Sequence, residues 1–109
     1  MVTKEQNTDR VMDALGHKTR RDILALLRQA PLPVGGIAEQ MPISRPAVSK
    51  HLRILQDAGL VEYTSVGTRN VFRLSTKGFN AARTYVESFW DQALAGFKSV
   101  AEGLEEAGT

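Results

Sequence analysis

Residues 43–61 read ISRPAVSKHLRILQDAGLV. Small hydroxyl and basic residues crowd the start, apolar residues recur through the middle, and Gly59 closes the run. Ser44 is a good N-cap, because its side-chain oxygen can accept from a backbone N–H that the first helical turn leaves unpaired. Pro46 falls in that first turn, where a missing N–H is tolerated. The spacing predicts a helix ending at Ala58, with Gly59 as the left-handed residue beyond it. Val48, Leu52 and Leu55 follow i, i+4, i+7 and must face a core. Roughly opposite lie Arg45, Ser49, Arg53 and Gln56, with Pro46 and Lys50 alongside, and none of these six is acidic.

The flanking sequence gives this helix a setting. Upstream, residues 34–40 form a weaker helix in which Val34, Ile37, Ala38 and Met41 keep helical spacing. Gly35 and Gly36 each cost about 1 kcal/mol relative to Ala, so packing must hold it, and Pro42 ends it. Only MPIS separates the two helices, which makes residues 34–59 a helix-turn-helix. Downstream, VEYTSV and RNVFRL read as strands around Gly67-Thr68, with Gly at the first central position of a type II′ hairpin. Val61, Tyr63, Phe72 and Leu74 supply its buried face, flanked by Arg69 and Arg73. A hairpin at residues 61–74, after a helix-turn-helix, is a wing.

The exposed face of residues 45–56 can now be read as chemistry. Arg pairs bidentately with guanine N7 and O6, Ser bonds several base edges, and Pro or Ala touches a thymine methyl. A helix N-terminus also favours phosphate. A second helix with these groups at its N-terminal end is how a helix-turn-helix enters the major groove. A capped amphipathic helix with a solvated basic face is the plain alternative; the preceding tight turn and the following hairpin favour double-stranded DNA.

Toward the N-terminus, residues 9–15 (DRVMDAL) predict a short helix capped by Thr8, with Val11, Met12 and Leu15 on one face and Gly16 as its stop. Residues 18–29 (KTRRDILALLRQ) predict another, with an apolar stripe at Ile23, Leu24, Leu26 and Leu27; Pro31 and Pro33 prevent its continuation. The last helix covers residues 76–106. Phe79, Ala82, Val86, Phe89, Ala93, Phe97, Val100 and Leu104 recur at steps of 3, 4, 3, 4, 4, 3 and 4 residues as a heptad-like seam, widened by Trp90. Gly96 and Gly103 weaken this helix but let another helix approach closely. The fold class is mainly α with a small β-hairpin wing, one domain over residues 1–109.

Composition narrows the functions. A chain of 109 residues makes one compact domain with a limited core, which leaves oligomerisation open. It contains no Cys, which removes disulfides, thiolate metal sites and cysteine nucleophiles together. The opening MVTKEQNTDR has no apolar centre, so no signal peptide is expected, nor does any run approach membrane-spanning length; a cytoplasmic protein without membrane contact follows. Net charge is only +2, yet residues 18–83 hold eleven Lys/Arg against four Asp/Glu while the two ends are net acidic. A basic centre suits a polyanion, with the acidic ends kept away from it. No phosphate loop and no nucleophile–His–carboxylate set is present, so neither catalysis nor a cofactor is expected.

The stretches ALGHKTRRDILALL, PLPVGGIAEQM, ISRPAVSKHLRILQDAGLV and GTRNVFRL, over about residues 11–75, resemble in order and spacing the ArsR/SmtB family of winged helix-turn-helix repressors. The tail ESFWDQALAGFKSVAEGLEE resembles a metal-independent subgroup whose last helix carries a Phe-Trp pair. The resemblance implies a homodimeric, cytoplasmic, bacterial DNA-binding repressor. Its recognition residues would be Ser44, Arg45, Pro46, Ala47, Ser49, Lys50 and Arg53, with Thr68 and Arg69 in the wing. Thr19, Arg20 and the Gly35 amide would touch phosphate. The first and last helices would form the dimer interface, placing Val11, Leu15, Phe79, Val86, Phe89, Trp90, Phe97 and Val100 there. Two departures matter. Pro33 stands where relatives often cap the third helix with Ser or Thr. Metal sensors of the family use Cys in the third helix or Asp and His on the last, and here the only His residues are 17 and 51.

Individual residues admit plainer readings. His51 sits beside the core face of its helix and reads as a packed, hydrogen-bonded histidine, with a phosphate contact as the alternative; no partner at helical spacing supports a metal. His17 can cap the helix it precedes. Glu87 and Asp91 read as solvated surface. Phe89, Trp90 and Phe97 exceed what so small a core needs and point to a second copy, with an effector pocket among them as the alternative. Two rivals share the scaffold: a sensor gated by an unidentified small molecule, and a protein-interaction module docking through the last helix.

Overall fold

The structure, a computed structural model, describes residues 3–107; for residues 106 and 107 only the backbone is described. Among the described residues the order is α1 (Lys4–Leu15), α2 (Lys18–Gln29), β1 (Leu32–Pro33), α3 (Val34–Glu39), α4 (Arg45–Asp57), β2 (Val61–Val66), β3 (Arg69–Leu74) and α5 (Thr76–Ala107). The architecture is the expected winged helix-turn-helix, with one strand more than the sequence suggested.

Helix α1 begins earlier than residue 9. Thr3, not Thr8, is the cap: Gln6 N–H donates to Thr3 Oγ1 (3.1 Å) and Thr3 N–H donates to Gln6 Oε1 (3.0 Å), a reciprocal capping box. The Thr8 hydroxyl instead donates to Lys4 O within the helix (3.0 Å). His17 does cap α2, its Nδ1 accepting from Thr19 N–H at 3.2 Å. Ser44 Oγ accepts from Ala47 N–H at 3.3 Å at the start of α4, and Gly59 follows that helix at φ +74°.

Strand β1 is the unanticipated element. It lies antiparallel to β3, Leu32 opposite Phe72 and Pro33 opposite Val71, so the sheet runs β1-β3-β2. Pro33 is tolerated because β1 is an edge strand, where a missing donor breaks no interior ladder. The hairpin has a two-residue loop, with Val66 opposite Arg69. Gly67 has φ +61° and no non-glycine residue described has positive φ, which gives the II′ pattern and not I′.

Helices α1 to α4 and the root of the wing enclose the core. Val48, Leu52 and Leu55 line the inner side of α4 and are essentially buried, together with Ile23, Ile37 and Leu60. Val11, expected at a contact between two copies, is instead wholly buried in this chain's own core. Leu15 and Phe79 are partly buried against that core. Tyr63 packs its ring on Phe72 (centroids 5.3 Å apart) but remains exposed, so only Val61, Phe72 and Leu74 form the buried face of the wing.

The start of α5 is fixed by a contact between two glycines. Gly78 N–H donates to Gly59 O at 2.7 Å. A Cβ on Gly78 would lie 2.8 Å from Ala58 O and from Gly59 C and O, all backbone atoms that cannot step aside cheaply. Gly78→Ala should therefore destabilise the protein by about 1–3 kcal/mol through overpacking. Urea unfolding measures this, and an unchanged midpoint would refute the tight approach. Gly96 and Gly103 have nothing of their own chain within 4 Å of an added Cβ.

Candidate nucleic-acid interface

With the apolar stripe of α4 turned inward, Ser44, Arg45, Pro46, Ser49, Lys50 and Arg53 are exposed and Ala47 is half-buried. Two hollows lie between this helix and the wing. One, of about 410 Å³, is lined by residues that include Gly35 and Glu39 of α3, Arg45 of α4, and Thr68, Arg69 and Asn70 of the hairpin. The other, of about 360 Å³, is lined by residues that include Ser49, Arg53 and Gln56 of α4 and Tyr63 of β2. Val34 and Asn70 border both, so the two form one continuous groove. The fold thus brings Gly35, Arg45, Ser49, Arg53, Thr68 and Arg69 together, although they come from three separate elements. Ser44, Pro46, Ala47 and Lys50 lie on α4 outside this groove.

The cations of this surface outnumber its one carboxylate, Glu39. Among the described residues the ion pairs are Lys18–Asp22, Arg73–Glu62 and Arg83–Glu87. Arg45, Lys50, Arg53 and Arg69 take part in none of them. Arg73 is different: its guanidinium donates to Glu62 Oε1 (3.1 Å) and Thr64 Oγ1 (2.6 Å) on the neighbouring strand, so it braces the wing. Free cations beside hydrogen-bonding side chains are what a phosphate backbone with base edges between would engage.

Arg20 also has a structural task. Its Nε donates to Ala14 O (2.9 Å) and its Nη2 to Asp13 O (3.1 Å), closing the carbonyl end of α1. Its Nη1 lies 3.5 Å from His51 Nδ1. Arg20 therefore ties α1, α2 and α4 together whether or not a phosphate also reaches it. Because a guanidinium has donors only, a hydrogen bond here forms with the His51 tautomer that carries its proton on Nε2. His51 is half-buried, with the His17 ring 5.0 Å away. Burial, then His17, Arg20 and Lys50, hold its pKa below the usual 6.5. Thr19 is half-buried in the same corner.

Asn70 was missed by sequence reasoning. It lines both hollows and its Oδ1 accepts from Ser65 Oγ at 2.9 Å across the hairpin. Its only signal is register, since Asn70 faces Ser65 once Gly67-Thr68 is taken as the turn.

Away from this surface, α5 carries an apolar face that its own chain does not cover. Val86, Phe89, Trp90, Phe97 and Val100 are all exposed, with Trp90 at 64% and Phe97 at 74%. Tyr85 and Phe89 meet edge to face at 5.1 Å. Among the described residues no three His, Cys, Asp or Glu side chains group as metal ligands, and no helix is long and apolar enough to cross a membrane.

Comparison with known proteins agrees with this geometry. A family model described as a helix-turn-helix domain matches residues 15–64. The HTH-type transcriptional regulator Rv2034 of Mycobacterium tuberculosis is 45% identical over 92 residues, 84% of this chain and 86% of that protein. An ArsR-like transcriptional regulator from Rhodococcus sp. RHA1 superposes with a TM-score of 0.71 at 37% identity, covering 89% of this chain and 92% of its own. The homodimeric winged helix-turn-helix DNA-binding domain Mb0332 from Mycobacterium bovis superposes with a TM-score of 0.63 at 33% identity, covering 81% of this chain and 82% of its own.

Proposed function

Because this chain belongs to the ArsR family of winged helix-turn-helix transcriptional regulators, we propose that it is a homodimeric repressor that binds a pseudo-palindromic site in double-stranded DNA. The observation that carries this reading is the groove lined by Arg45, Arg69, Arg53 and Ser49, whose arginines form no ion pair among the described residues. Two copies of α4 would enter successive major grooves about 34–36 Å apart, while wing residues Thr68 and Arg69 follow the flanking backbone. Pairing would occur through the uncovered apolar face of α5, since an exposed apolar patch of this kind marks an association surface. A dimer bound across a promoter blocks polymerase by occupancy. This reading assigns the protein to the cytoplasm and gives it no catalytic role.

The test is selection from a pool of random duplexes by the purified protein. The expected product is an inverted repeat with half-site centres about 10–10.5 base pairs apart. Affinity should fall steeply with salt, log K against log salt having a slope of about −0.9 per phosphate neutralised. Absence of binding to any duplex at low salt would defeat the reading, and a lone half-site would defeat its dimeric part.

A further inference from the structure

On the reading just given, we infer that Arg45 does not read a base but clamps a DNA phosphodiester, together with Arg69 of the wing turn, in the cleft between α3, the start of α4 and the hairpin. Its position at the beginning of the recognition helix suggests a base contact, but its side chain is turned the other way. A methyl group placed on Gly35 would sit 3.6 Å from Arg45 Nη1 and 3.9 Å from its Cζ. The guanidinium therefore lies back over α3, along the wall of the cleft. Arg69, from the opposite side of the hairpin turn, lines the same 410 Å³ hollow.

Neither arginine forms an ion pair among the described residues, and one carboxylate, Glu39, shares the lining. Two arginines from separate elements line one small hollow with a single carboxylate beside them, so an anion bound there would meet two cations. The anion that a duplex offers beside a recognition helix is its phosphate, and a guanidinium matches two phosphate oxygens bidentately. Base choice then rests with residues farther along α4, where Ser49 and Arg53 line the neighbouring hollow.

The experiment uses the full chain and the duplex that the wild-type protein selects. Arg45→Ala, Arg69→Ala, the double variant and Arg45→Lys are compared on that site, on every single-base variant of it and on unrelated duplex. The proposal expects each alanine variant to lose roughly tenfold in affinity, by one common factor on all sequences. The salt slope should fall by about one. The double variant should lose less than the product of the two, as for groups sharing a partner, and Arg45→Lys should recover part of the loss. A methylphosphonate at the clamped position should weaken the wild-type protein, weaken each single alanine variant less, and leave the double variant unaffected. Relaxed preference at one base pair in Arg45→Ala, or unchanged affinity, would overturn the clamp while leaving the DNA-binding reading intact. A wild-type protein that binds no duplex would overturn both.

Discussion

Trp90→Asp should leave a folded monomer whose affinity for a two-half-site operator is lower by about a hundredfold or more. Trp90 is 64% exposed in its own chain and lies outside the core, so replacing it removes little that stabilises the monomer. On the same helix Val86, Phe89, Phe97 and Val100 are also uncovered. Joined to a second copy, that face would become an apolar seam of the coiled-coil kind. A carboxylate placed in such a seam must be dehydrated without a partner, at a cost of several kcal/mol. Glu87 and Asp91 lie nearby in sequence, so the new charge also adds like-sign repulsion. Once the dimer is lost, the second recognition helix no longer binds as a tethered neighbour. Linking two modules raises avidity by roughly 10²–10⁴, which sets the size of the loss. Sedimentation equilibrium gives the mass and circular dichroism checks the helix content. An intact dimer at micromolar concentration would remove α5 from the interface.

The same face shows where sequence reading reaches its limit. Val11, Leu15 and Phe79 have the apolar spacing that an interface needs, and a monomer core needs the same spacing. Periodicity cannot tell which partner covers a residue, and in three dimensions these three pack into their own chain. Helix α4 was legible because local signals agree: Ser44 as cap, Pro46 in the first turn, Val48-Leu52-Leu55 on one side and Gly59 beyond the end. Strand β1 was not, since two residues show no period and Pro31 and Pro33 read as breakers; its existence depends on β3, some forty positions later. The true start of α1 was written in the sequence as Thr3-x-x-Gln6, but the polar KEQNT turn hides it from any search for apolar spacing. The basic charge of the centre was plain, whereas its division was not. Arg73 is paired because the register sets it opposite Glu62, and Arg20 is engaged because α1 ends beside it. The direction of the Arg45 side chain, back over Gly35, needed coordinates.

Leu55→Ala should cost about 2–5 kcal/mol of stability. Small domains are stable by only about 5–15 kcal/mol in total, so the melting temperature should drop by about 10 °C or more. Leu55 is fully buried, and its backbone carbonyl accepts from Leu60 N–H (2.9 Å) in the turn that leads into the wing. The side chain closes the C-terminal end of the stripe that begins at Val48, and no polar group stands ready to fill the space it would leave. Most of the outer face of α4 is exposed, so the helix is held mainly by this inner stripe, with the contact between Arg20 and His51 beside it. Urea unfolding at fixed protein concentration measures the cost, the concentration being held constant because dimerisation shifts the midpoint. Operator binding measured well below the lowered melting temperature should stay within severalfold of wild type, because Leu55 itself faces no DNA. A loss below about 1 kcal/mol would mean that α4 is held by something other than its buried stripe. A large loss of binding by protein still folded would mean that the stripe also sets the angle at which the recognition face meets the groove.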